Sequence, residues 1–143
     1  MLTDEYVQQK FREGIDCSMM VLAEVAARIG ISEKEAYRTA SCFGAGMFTG
    51  GVCGAVTGAF IAIGIKHGNH EPNDTERKMK VISKRDEFVR RFTEIHGSVD
   101  CPVLLGIDLR DNEQRQYARD NGLFDNECPK FCRTAALLLK DIL

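Results

Sequence analysis

Hydrophobic positions along this chain recur at helical spacing, and no segment alternates in the manner of a strand. Thr3 is placed to cap a first helix, with Asp4 and Glu5 in its first turn and Tyr6, Phe11 and Ile15 along one side. Gly14 interrupts it. A second helix starts near Cys17 and runs through "SMMVLAEVAARIG" to Gly30. Ser32 and Glu35 have capping-box spacing and open a third, "SEKEAYRTASC". Glycines from Gly44 to Gly51 form a turn. The stretch from Val52 to His67 is apolar almost all round, which predicts a buried central helix.

Beyond Gly68 the segment "NHEPND" reads as a polar turn. A long charged helix follows from Asp74 to His96, with positions 81, 82, 88, 89, 92 and 95 as its apolar stripe. "DCPVLLGID" predicts a short helix, Asp111 to Asp120 another, and "CPKFCRTAALLLKDIL" the last. The expected fold is all-α: a bundle of about six to seven helices around the glycine-rich apolar helix, in a single domain spanning residues 1–143.

Charge and composition exclude some partners. The net charge is −2 and no basic run with interleaved aromatics occurs, so nucleic acid is not expected. Residues 39–65 carry no charge, but their continuous apolar part, Val52 to Ile65, is too short for a membrane span. No membrane association is expected. The first residues, "MLTDEYVQQKFREG", lack the apolar run of a secretion signal, which points to the cytoplasm. Thiols stay reduced there, and six cysteines then suggest metal or redox chemistry.

Four of those cysteines fall where helices are expected to begin. Cys17 precedes "SMMVLAEV" and Cys53 precedes "GAVTGAFIAI". Cys101 and Cys128 are each followed by proline, the residue favoured at the first helical position. Free N–H groups and the positive end of a helix favour thiolate, the form that attacks disulfides and binds metals. Cys42 and Cys132 read first as small packing residues, although Cys132 lies one helical turn after Cys128. There is no Cys-x-x-Cys pair and so no zinc-finger spacing; a site requires separate helix ends to converge. Gly54 and Gly58 would then let a neighbouring helix or a cofactor approach the backbone. His67 and His96 each precede a helix-ending glycine and read as cations paired with the helix dipole.

The segments "GIDCSMMVL", "FGAGM", "CGAVTGAFIAIGIKHG", "DCPVLLGIDL" and "GLFDNECPKF" together resemble the C_GCAxxG_C_C family of redox-active proteins. Its central motif corresponds to Cys53-Gly54-Ala55-Val56-Thr57-Gly58, and its other cysteines to Cys17, Cys101 and Cys128. The resemblance implies a small helical domain with redox-active cysteines. It also resembles the domain of split-Soret-type cytochromes in which cysteines hold a two-iron iron–sulfur cluster. No Cys-x-x-Cys-His occurs, so no haem is expected. Cys42 and Cys132 do not match the four family positions and are extra ligands or plain substitutions.

Three functions follow as expectations. The first is an electron-transfer protein binding an iron–sulfur or other metal cluster through Cys17, Cys53, Cys101 and Cys128. The second is metal-free thiol–disulfide chemistry, with Cys53 as nucleophile and Cys17 as its partner. The third is a zinc-stabilised module without catalysis. The redox partner is unknown, and the apolar glycine helix offers a face for a homodimer.

Overall fold

Local capping accounts for many of the helix starts. A computed structural model of the protein describes residues 1–143. Thr3 Oγ1 accepts from the Tyr6 N–H at 3.2 Å and opens α1 (Asp4–Arg12). Ser32 and Glu35 bond reciprocally to each other's backbone N–H and open α4 (Glu33–Ala40). Asp74 accepts from the Arg77 N–H ahead of α6 (Thr75–His96). Asp111 accepts from Glu113 and Gln114 ahead of α8 (Asn112–Asp120). Between these lie α2 (Cys17–Glu24), α3 (Ala26–Ile29), α5 (Gly54–His67), α7 (Cys101–Leu105) and α9 (Leu123–Ile142). A single π-helical segment, Gly46–Gly50, precedes α5.

The structure is all-α, with ten helical segments where about six to seven were expected. Two differences explain much of the count. The expected second helix breaks at Val25, whose N–H turns back to the Leu22 carbonyl, separating α2 from α3. The glycine-rich turn also contains its own helical segment. The last helix begins at Leu123 instead of near Cys128. Gly122, at φ 65°, makes the turn, and Pro129 lies inside α9. No strand forms. One isolated antiparallel bridge joins Val52 to Asp100.

α5 packs on α2, α6 and α9. Its small residues set how close α2 comes: a Cβ added at Gly58 would lie 2.5 Å from the Ser18 carbonyl oxygen. The Ser18 hydroxyl, fully buried there, donates to the Ala40 carbonyl at 2.8 Å and ties α2 to the end of α4. Thr57 donates to the Phe43 carbonyl at 3.0 Å and ties α5 to the following loop. The glycine face of α5 is therefore occupied within the chain.

α6 closes the other side through Phe88 and Phe92, both with no exposed surface. Burying each stabilises the fold by about 1.5–3 kcal/mol. Phe92 lies 6.4 Å from Phe131 of α9, centroid to centroid. Ile82 and Ile95, expected in the same stripe, are exposed. No helix is long and apolar enough to cross a membrane.

Candidate functional site: a cavity lined by four cysteines

The Val52–Asp100 bridge sets two cysteines side by side. The Cys53 N–H donates to the Val99 carbonyl at 2.8 Å, and the Cys101 N–H donates to the Gly51 carbonyl at 2.9 Å. Cys53 is the N-cap of α5, and Cys101 is the first residue of α7. Cys17 is the first residue of α2, with Asp16 before it. Its Sγ fits against α5 only because position 54 has no side chain. Cys128 comes from α9.

All four cysteines line one cavity of about 390 Å³. Its wall is mainly apolar, with Phe11, Leu104, Leu105, Leu109, Phe124 and Phe131 among the lining residues. Gly54 also lines it, whereas Gly58 meets Ser18. Cys53 and Cys101 are buried, and Cys17 and Cys128 are partly buried.

The expected position of one cysteine needs correction. Cys128 is not at a helix start. It lies more than a turn inside α9, because Gly122 and not Pro129 marks the beginning. Cys132 follows one turn later, fully buried, behind the cavity wall rather than in it. Cys42 lies beyond the end of α4, exposed and away from the cavity.

The expected acidity is also reversed. Burial pushes the Cys53 thiol far above its ordinary range, and the neighbouring Cys17 and Cys101 add to the shift. Cys101 is pushed up to about 12, first by burial and then by Cys17. Cys17 is raised by burial, with the Ala45 amide pulling the other way. Cys128 and Cys132 are raised well above the ordinary thiol value by burial. Two or three amide dipoles at a helix end do not offset removal of a thiolate from water. The metal-free site therefore holds neutral thiols at neutral pH.

One wall is built from strained backbone. Ala45, Gly46, Met47 and Phe48 are all left-handed, with φ between 48° and 65°. Each non-glycine residue there costs about 1–2 kcal/mol. Ala45 and Phe48 line the cavity. Such strain gathers at functional sites, where surrounding structure holds it in place. The glycines around this segment signal a turn, but nothing in the sequence marks Ala45, Met47 and Phe48 as left-handed.

The histidines lie outside the cavity. They do end α5 and α6, but neither is a cation at neutral pH, because burial lowers the pKa of both His67 and His96. His96 Nε2 is 2.8 Å from the Thr134 hydroxyl. No three His, Cys, Asp or Glu side chains stand close enough together to hold a single metal ion.

No curated protein and no solved structure shows significant similarity to this chain. Residues 15–142 match the family described as "Putative redox-active protein (C_GCAxxG_C_C)", a span that contains all four cavity cysteines. The chain belongs to the C_GCAxxG_C_C family of redox-active proteins.

Proposed function

We propose that the protein transfers electrons through an iron–sulfur cluster held by Cys17, Cys53, Cys101 and Cys128. The observation that carries this reading is that four separate helices each contribute one cysteine to the same cavity. Four thiolates suit an iron–sulfur cluster or zinc. The sulfurs surround a volume of about 390 Å³ and are not gathered within reach of one ion. A cluster spans more space than a single ion, so this donor set fits a cluster better. Such a group supplies reversible one-electron transfer when bound.

The chain's own residues have three tasks. The Ala55 and Val56 amides favour negative charge on Cys53, and the Ala45 amide does so on Cys17. Hydrogen bonds to ligating sulfurs tune reduction potential. The apolar wall limits water around the thiolates. Six free cysteines suit a reducing compartment such as the cytoplasm. Metal-free exchange between Cys53 and Cys17 is disfavoured, because a buried neutral thiol is a poor nucleophile.

The test is anaerobic purification and reconstitution, followed by iron and sulfide assays and a visible spectrum. The expected product is coloured, with iron and sulfide in equal amounts. Cys53→Ser and Cys101→Ser should lose the colour, and Cys42→Ser should keep it. A colourless, iron-free chain after reconstitution overturns the reading. Bound zinc without iron replaces it with the zinc-stabilised module.

A further inference from the structure

The cavity has a second chemical feature besides its thiols. Arg115 and Arg119 of α8 both line it. They are four residues apart and so project from one face of that helix. Arg115 is partly buried and Arg119 is exposed, which sets the pair at the mouth. The arginines that form ion pairs in this protein are Arg85, Arg90, Arg91, Arg110 and Arg133, and neither cavity arginine is among them. Arg115 donates through one Nη to Asn112 Oδ1, while its Nε is buried with no acceptor. A buried donor left without a partner is costly, and a ligand oxygen would remove that cost.

The remaining lining narrows the ligand. The wall is mostly apolar, and a volume of about 390 Å³ lies in the usual range of small-molecule pockets. Asp16 and Asp125 share the lining. Two carboxylates facing two guanidiniums leave room for one added negative charge and oppose a dianion. A carboxylate matches the planar fork of a guanidinium with two parallel hydrogen bonds.

We propose that the cavity binds a small organic monocarboxylate with an apolar body, its carboxylate on Arg115 and Arg119 and its body against the apolar wall near the thiols. This names the substrate class of the redox site and rests on reading the cavity as that site.

The experiment is isothermal titration of the full chain with phenylacetate, 3-phenylpropionate and cyclohexanecarboxylate, each paired with its neutral amide. Both iron-free and reconstituted samples are titrated. At least one carboxylate should bind saturably while its amide does not. Arg115→Gln and Arg119→Gln should each weaken binding by about tenfold or more, as expected for loss of a charge-assisted hydrogen bond. Arg119 is exposed, so its variant remains folded and informative even if the Arg115 variant does not. The inference is overturned if no carboxylate binds either form, if amides bind equally well, or if Arg119→Gln binds as tightly as the unmodified chain. Iron and sulfide assays on the same samples report separately on the cluster. A chain that binds carboxylate but never takes up iron removes the cluster reading alone. A cluster-bearing chain that ignores all three carboxylates removes this inference alone.

Discussion

The Sγ of Cys17 occupies the space in which a side chain at Gly54 would begin. The same hypothetical Cβ would lie 3.1 Å from the Gly44 Cα and 3.2 Å from the Phe43 carbonyl oxygen. Gly54→Ala must therefore displace Cys17 or the loop before α5. Overpacking of this kind costs about 1–3 kcal/mol. The expected result is a lower urea midpoint together with loss of at least half the iron retained per folded chain. Unchanged stability and iron content would show that the contact relaxes freely.

Three glycines on α5 should behave differently. At Gly58 an added Cβ meets the backbone of Ser18, which cannot rotate away. Gly58→Ala should reach or exceed the upper end of the same range of about 1–3 kcal/mol. At Gly64 nothing lies within 4 Å. There Gly64→Ala should stabilise the protein by about 0.5–1 kcal/mol through better helix propensity. Urea unfolding of the two variants, side by side, reads the difference in sign.

The two cysteines outside the cavity should separate by reactivity. Cys42 is exposed and Cys132 is fully buried. Under brief iodoacetamide treatment, mass spectrometry should find Cys42 modified first and Cys132 last. Cys42→Ser should change stability by less than about 0.5 kcal/mol. Cys132→Ser buries a hydroxyl and should cost about 1–3 kcal/mol unless that group finds an acceptor.

Stability of the metal-free chain should fall at both ends of the pH scale. The cavity thiols are raised in the folded state. Below the unfolded thiol value of about 8.5 both states keep the proton, so their contribution is intact. Above it the unfolded chain releases protons first, and stability falls by up to about 1.36 kcal/mol per pH unit for each thiol. For Cys101 the loss continues up to about 12. His67 and His96 are lowered in the folded state, so their contribution is present above about 6.5 and lost as pH falls below it. Urea midpoints between about pH 5 and 10 should show a plateau near 7–8. Metal uptake should release protons and tighten as pH rises, because the thiols must ionise to bind. A midpoint that rises steadily above about pH 9 would contradict neutral buried thiols.

Much of the helical layout was legible because its signals are local. Thr3, Ser32, Asp74 and Asp111 each cap through a bond to a residue two or three positions ahead. Pro129 misled for the same reason. Proline favours a helix start, yet in α9 it is accommodated inside, and Gly122 makes the turn several residues earlier. The break at Val25 and the left-handed run through Phe48 carry no comparable marker, since their conformations are held by packing. Arg115 and Arg119 resemble any charged pair on a solvated helix until the fold turns them to the cavity.

By itself, the sequence determined the all-α class, most helix boundaries, the order and spacing of the cysteines, and through them the family. Caps, periodicity and motifs act over one or two turns, so they can be read along the chain. Only the tertiary structure decided that Cys17, Cys53, Cys101 and Cys128 face one cavity, that Cys42 and Cys132 do not line it, and that the cavity thiols are protonated rather than ionised. The reason is physical. A helix end offers a few amide dipoles whose effect is local, whereas desolvation sums over every atom packed around a sulfur, and here that sum is larger.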